Sequence, residues 1–218
     1  MKTLAFLSAK TNIGASTIAY EVAVKLSQSK KVMLLHIGEL SQQSNSLLTT
    51  KNIVNKFLLP GFHMSNIKKN LKIITFVEKL VTPTLLSKQI NLLRKYFNYL
   101  IIDCNSSYLN RYIPIFKFIE YVSFNISYPL TNTKLQRLLY GIKDIKEINN
   151  NTKIFSFIIP MYQEKNIECI NTYQTLMNVI DKKTPIIKVP HIDNTTRLNI
   201  DIMFTKSINQ IVEIINNI

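Results

Sequence analysis

The chain has 218 residues, 46% of them hydrophobic, and carries a formal net charge of +14 at pH 7. This size and apolar content allow one well-buried core, so a single domain over residues 1–218 is expected. No run approaches the roughly 18 consecutive apolar residues of a membrane-spanning helix, and the N-terminus shows no signal-peptide pattern, which indicates a cytoplasmic protein. Cys104 and Cys169 have neither metal-ligand nor disulfide spacing and are expected to be buried, reduced thiols.

The positive charge is concentrated in the N-terminal half. Residues 1–109 contain 14 Lys or Arg against 4 Asp or Glu, a net +10, whereas residues 110–218 contain 13 against 9, a net +4. Such a surface attracts polyanions. The chain is rich in Asn, Ile and Lys and poor in Arg, as A+T-rich coding produces. We therefore favour this compositional bias, rather than a dedicated nucleic-acid or anionic-lipid face, as the explanation of the positive charge.

Short aliphatic runs alternate with amphipathic stretches, as in βα units that form a mostly parallel sheet. The predicted strands are Thr3–Ser8, Lys31–His36, Lys72–Phe76, Tyr99–Asp103, Tyr121–Asn125, Ile154–Ile159 and Ile186–Val189. The runs at 99–102 and 155–159 are almost continuously apolar, which is typical of central strands. We therefore predict a doubly wound α/β domain of about seven strands with helices on both faces.

Helices are predicted between the strands from apolar side chains at helical spacing. Two stripes are formed by Ile18, Val22 and Leu26 and by Leu85, Ile90, Leu93 and Phe97. Further helices are predicted at Lys51–Leu59, Lys134–Ile148, Glu168–Ile180 and Lys206–Ile218. The last helix has an apolar face but few lysines on its polar face, so packing on the sheet is favoured over peripheral membrane contact.

The segment 9–17, between the first strand and the first helix, has the context of a phosphate-binding loop. In such a loop, backbone N–H groups and the helix N-terminus bind phosphate, a hydroxyl holds Mg²⁺ and a lysine neutralises the terminal phosphates. Ser16 supplies the hydroxyl after Gly14, but Ala15 occupies the lysine position. The alternative interpretation is an ordinary helix cap.

On these residues the sequence resembles the ParA/MinD family of P-loop ATPases, whose loop typically reads KGGVGKTT. Lys10 matches the signature lysine that reaches the partner's nucleotide across a dimer, and Gly14, Ser16 and Thr17 match the end of the motif. The run GAST at 14–17 is most similar to the CpaE/TadZ branch, which is associated with Tad-type pilus assembly. The receiver-like domain common in that branch is not predicted in this chain.

The resemblance extends to strand 31–35, similar to the family's KVLLI strand, and to 99–103, similar to its Walker B strand. A looser likeness covers 189–193, the family's IPxD segment, followed by Arg197 and Lys206. The resemblance to the ParA/MinD family implies that ATP and Mg²⁺ are the cofactors and that the protein forms a homodimer. The implied nucleotide-binding residues are Lys10, Gly14, Ala15, Ser16, Thr17 and Asp103, with Ser16 and Asp103 at the Mg²⁺.

Several positions depart from the family pattern. Thr11 and Asn12 replace paired glycines, and His36 and Gly38 replace the two aspartates of the DxD segment. Loss of one positioned electrostatic group commonly raises a catalytic barrier by about 2.7 to 4 kcal/mol, so weak or absent ATP hydrolysis is expected. We interpret His36 as a structural residue rather than a base, and Cys104 as a structural thiol rather than a nucleophile or cluster ligand.

These observations favour a degenerate ParA/MinD-like scaffold or positioning factor for pilus assembly. Its partners would be pilus or secretion machinery, and it would be recruited from the cytoplasm to the inner face of the membrane or the cell pole. One alternative is a ParA-like partition protein that binds non-specific DNA. The other is an active P-loop enzyme acting on a small substrate.

Overall fold

The computed structural model describes residues 1–8, 14–37, 59, 62–76, 81–105, 113–191 and 197–218. Strands and helices alternate through most of these residues, as the sequence predicts. The strands are β1 (Lys2–Ser8), β2 (Val32–Ile37), β3 (Phe62–Lys68), β4 (Leu71–Phe76), β5 (Tyr99–Asn105), β6 (Tyr121–Asn125), β7 (Lys153–Tyr162) and β8 (Ile186–Pro190). The helices are α1 (Ala15–Leu26), α2 (Pro83–Leu93), α3 (Ile113–Phe116), α4 (Asn132–Ile148), α5 (Ile167–Val179) and α6 (Arg197–Asn217).

The strands form one sheet in the order β3-β4-β2-β5-β1-β6-β7-β8. All neighbours are parallel except β3 and β4, which are antiparallel. The predicted doubly wound α/β architecture is therefore confirmed. The strand missing from the prediction is β3, an edge strand whose exposed His63 and Asn66 interrupt the apolar pattern around buried Phe62 and Met64.

Successive residues of β1 point to opposite faces of the sheet, and each face is covered. Leu4 and Phe6 belong to a buried cluster with side chains of α1 and α6. Ala5 and Leu7 belong to a second cluster with side chains of α2, α3, α4 and α5. A strand buried on both faces must be apolar throughout, which explains its sequence.

The largest differences from the predicted helix boundaries are in α2 and α6. Helix α2 starts where the Thr82 hydroxyl accepts a hydrogen bond from the Leu85 N–H at 3.2 Å. It ends at Leu93, so Phe97 lies outside the helix although it still packs against the core. Helix α6 begins at Arg197 rather than at Lys206. The predicted helix Lys51–Leu59 lies outside the described residues apart from its last residue.

The prediction that the last helix packs on the sheet is confirmed. Ile208, Ile211 and Ile215 of α6 are buried in the cluster that also contains α1. The protein itself thus covers the part of α6 that carries these three isoleucines, whereas Ile202 and Met203 nearer its start are exposed. Within the described part of the chain, no helix is both long and apolar enough to cross a membrane.

Candidate nucleotide-binding site

The start of α1 has the geometry of an anion-binding helix N-terminus. Gly14 adopts a left-handed conformation with φ of 81°, which glycine tolerates without strain, and the Ile18 N–H donates to its carbonyl at 3.0 Å. Among the described residues, no side chain caps the helix, and no acidic residue lies in its first turn. The first N–H groups of a helix have no partner within the helix, and the helix dipole favours an anion there.

The other predicted residues of the loop fall partly within the described chain. Ser16 and Thr17 are exposed in the first turn of α1, whereas Ala15 is only 5% exposed. Lys10, Thr11 and Asn12 lie outside the described residues, so the role of Lys10 stays a prediction. The described loop residues provide a hydroxyl and backbone donors for phosphate, but Ala15 brings no charge.

Asp103 lies on β5, which is hydrogen-bonded to β1 on one side and to β2 on the other. In register it pairs with Phe6 of β1 and His36 of β2. The His36 Nδ1 lies 2.6 Å from the Asp103 Oδ2, and the two side chains are 17% and 6% exposed. Since a carboxylate only accepts hydrogen bonds, Nδ1–H is the donor in this contact. The contact gives His36 the structural partner expected of a histidine near a strand end.

The His36 contact changes what Asp103 can offer to a metal ion. Carboxylate and hydroxyl oxygens are the donors that Mg²⁺ prefers, and Asp103 and Ser16 fit that preference. One carboxylate oxygen is already engaged by an imidazole, which would compete with a metal-bound water for its lone pairs. The donor set therefore fits Mg²⁺ and phosphate in type, but the His36 contact weakens Asp103 as an acceptor and Ala15 stands at the lysine position. Gly38, the second altered position of the DxD segment, lies outside the described residues.

Cys104, which follows Asp103, is buried and only 2% exposed. Burial, with the neighbouring Asp103 charge adding to it, raises the pKa of its thiol to about 12. A thiolate is the nucleophilic form, and almost none exists near neutral pH at such a pKa. The interpretation of Cys104 as a structural thiol therefore has a physical basis. Cys169 is buried as well.

No role was predicted from the sequence for Asn125, the last residue of β6, which lies on the other side of β1. It is 1% exposed, and its Nδ2 donates to the Leu7 carbonyl at 3.2 Å. Its Oδ1 has no partner among the described residues. This hydrogen bond thus holds the carboxyl end of β1 just before the loop. The signal that could have revealed it is an amide closing an otherwise mostly apolar strand.

The segment similar to IPxD is described only at its start. Val189 is buried in β8, which ends at Pro190. The His191 N–H then donates to the Tyr162 carbonyl at 3.4 Å. Residues 192–196 lie outside the described chain, so the position of Asp193 remains a prediction.

The chain has an α/β fold of the P-loop type, as found in ParA-like ATPases. The features of this fold are the strand order, Gly14 before α1 and Asp103 on β5. A plasmid partition protein from Borrelia burgdorferi bound to AMPPNP is 20% identical, with a TM-score of 0.74 over 99% of this chain and 98% of that chain. McdA from Cyanothece in complex with ATP is 15% identical, with a TM-score of 0.76 over 99% and 96%.

Cobyrinic acid a,c-diamide synthase from Mycobacterium smegmatis, with an ATP analogue and magnesium bound, is 13% identical, with a TM-score of 0.73 over 98% of this chain and 93% of that one. At these identities the likeness establishes the fold. No protein-family model matches the sequence, and no curated protein matches it.

Proposed function

We propose that this chain is a ParA/MinD-like positioning or scaffold protein that binds ATP and Mg²⁺ as a homodimer and turns the nucleotide over slowly or not at all. One observation carries the proposal. The edge of the sheet that would hold the nucleotide keeps a helix N-terminus that begins after Gly14, while Ala15 replaces the lysine and Asp103 is engaged by His36.

Binding is supported by the fold and by the backbone of the site. The relatives named above include complexes with AMPPNP, with ATP, and with an ATP analogue and magnesium, and each covers nearly all of this chain. Gly14 and the start of α1 supply fixed N–H donors. Lys10, acting from the partner protomer, would supply the positive charge that Ala15 does not.

Slow turnover follows from two separate changes. Without a lysine at position 15, the charge that develops on the terminal phosphate in the transition state loses a fixed cation. With His36 bonded to Asp103, the carboxylate is a poorer acceptor for metal-bound water. Each such loss commonly raises a catalytic barrier by about 2.7 to 4 kcal/mol. Binding energy spread over several backbone contacts is less affected.

The test is calorimetric titration with ATP and Mg²⁺, combined with sizing of the protein and measurement of phosphate release. We expect Mg²⁺-dependent binding, a shift from monomer to dimer with ATP, and little phosphate release. Asp103→Ala should abolish the Mg²⁺ dependence, and Lys10→Ala should abolish the dimer. Undetectable ATP binding would refute the proposal. Rapid ATP consumption that disappears in Asp103→Ala would instead favour an enzyme acting on a small substrate.

The cargo is proposed from the GAST run at 14–17, which is similar to the CpaE/TadZ branch. On that basis the protein positions a surface appendage of the Tad-pilus type at the inner face of the membrane or the cell pole. Co-purification with pilus or secretion components from the native host tests this role.

A second candidate, DNA partition, is favoured by the likeness to a plasmid partition protein and by the net charge of +14. Its signature would be ATP-stimulated binding of duplex DNA that weakens steeply with salt. Duplex binding that is absent, or unaffected by ATP, would remove this candidate.

A further inference from the structure

The amino edge of the sheet, opposite the candidate nucleotide-binding site, contains a cavity of about 310 Å³. We call it the amino-edge pocket. Its lining includes Lys31, which precedes β2, Lys69 in the β3–β4 turn and Lys72 of β4. Tyr96 and Phe97, between α2 and β5, also line it. Three lysines and two aromatic residues therefore line a space that the candidate nucleotide-binding site does not use.

The backbone around the amino-edge pocket is held in place from several sides. The Lys31 N–H donates to the Asn98 Oδ1 at 2.9 Å, and the Lys31 carbonyl accepts from the Asn98 N–H at 2.8 Å. The Asn70 carbonyl accepts from the Val32 N–H at 2.8 Å, and the Asn70 Nδ2 donates to the Ser27 carbonyl at 3.2 Å. The positions from which the lysine side chains project are therefore fixed before any ligand arrives, which lowers the entropy cost of binding.

The electrostatics of the amino-edge pocket select an anion. Among the described residues, its lining contains three lysines and no carboxylate. Within the described residues, none of these three ammonium groups forms a salt bridge. The positive surface continues at neighbouring exposed residues: Lys30, Lys68, Arg94 and Lys95. Glu21 of α1 opposes this field, since it interacts with Lys68, and burial raises the pKa of the Glu21 carboxyl. The remaining charge is strongly positive and extends beyond the pocket.

The aromatic side chains select a planar group beside the anion. Tyr96 is 38% exposed, and the Lys95 ammonium lies 5.3 Å from its ring centroid. Phe97 is partly buried against the core, and buried Leu93 adds apolar surface. An accessible ring next to cations is the arrangement on which nucleobases stack while their phosphates meet lysines.

We propose that the amino-edge pocket binds single-stranded nucleic acid, with one nucleotide inserted and the flanking phosphates on the surrounding lysines. The volume is at the lower end of the roughly 300–1,000 Å³ of small-ligand sites, which suits one nucleotide unit. The extension of positive charge outside the pocket favours a strand over a free nucleotide. The proposal is independent of ATP binding at the opposite edge of the sheet.

The test is fluorescence anisotropy of a labelled short oligothymidylate with the full chain, without ATP or Mg²⁺. The combined variant Lys31→Gln, Lys69→Gln, Lys72→Gln should bind weakly and reduce the slope of log K against log salt by about 2. The control Lys182→Gln, Lys183→Gln removes two exposed lysines of the α5–β8 connection and should retain most of the affinity. Circular dichroism and thermal unfolding establish that each variant is folded.

The ring contribution is tested separately. Tyr96→Ala should weaken binding about tenfold, whereas Tyr96→Phe keeps the ring and should bind as the parent does. Asp103→Ala should leave oligothymidylate binding unchanged, which separates this site from the nucleotide-binding site. Unchanged affinity in the three-lysine variant would overturn the proposal. Equal competition by thymidine monophosphate or by duplex DNA would also overturn it, in favour of a small-molecule site or a general basic surface.

Discussion

The hydrogen bond between His36 and Asp103 predicts a specific pattern of stability changes. His36→Leu replaces the imidazole with an apolar side chain of similar size, so the Asp103 carboxylate, which is only 6% exposed, loses this hydrogen-bond donor. His36→Asn keeps a donor, because the asparagine Nδ2 can occupy nearly the position of the histidine Nδ1. Hydrogen bonds to charged groups contribute about 1.5 to 3 kcal/mol. We therefore expect His36→Leu to lower the free energy of unfolding by that amount and His36→Asn to lower it much less.

Urea denaturation followed by circular dichroism measures these differences. For a chain of this size, a loss of about 1.5 to 3 kcal/mol corresponds to a fall in Tm of roughly 3 to 12 °C. A double-mutant cycle with Asp103→Asn isolates the pair, and a coupling of about 1 kcal/mol or more is expected for side chains in direct contact. Equal destabilisation by His36→Leu and His36→Asn, or a coupling near zero, would show that this contact does not stabilise the fold.

Three further predictions concern the loop and the thiols. Ala15→Lys should tighten ATP binding about tenfold or more by adding a charge-assisted contact, whereas Ala15→Met, which is of similar length but uncharged, should not. Calorimetric titration with ATP measures this difference. No gain in affinity for Ala15→Lys would mean that the loop backbone is unlike that of the family. Gly14→Ala should lower the free energy of unfolding by about 1 to 2 kcal/mol, because the φ of 81° strains any residue with a Cβ atom. Gly141→Ala inside α4 should raise that free energy by up to about 1 kcal/mol, because an added Cβ meets nothing within 4 Å. Iodoacetamide at pH 8 should label Cys104 only after unfolding, because its pKa of about 12 leaves almost no thiolate in the native protein. Rapid labelling of Cys104 in the native protein would contradict its burial. Cys169 serves as a second buried thiol for comparison.

The central part of the fold could be predicted because its strands are buried on both faces. Runs such as 99–102 are continuously apolar, and their identification requires no knowledge of their neighbours. Edge strand β3 could not be found in this way, because its His63 and Asn66 face solvent. The start of α6 was also missed, because Ile202 and Met203 in this part of the helix are exposed and obscure the apolar spacing.

The candidate site was predictable where it is local in sequence. Gly14 and Ser16 follow a strand within a few residues, so their place at the helix N-terminus could be inferred. The contact of His36 with Asp103 depends on β2 and β5 being neighbours, 67 residues apart in sequence. The position of Asn125 depends on β6 lying beside β1. Strand order arises from the packing of the whole sheet, and no local pattern specifies it.

The central position of β1 has a consequence for synthesis of the chain. Leu4 to Leu7 are made before both of their neighbouring strands, which end at Asn105 and Asn125. At roughly 5 to 20 residues per second, the ribosome needs several seconds to reach the second of them. During that interval an apolar segment with unpaired backbone groups is open to aggregation or to chaperones. The strand that positions the phosphate loop is thus made well before the two strands that pair with it.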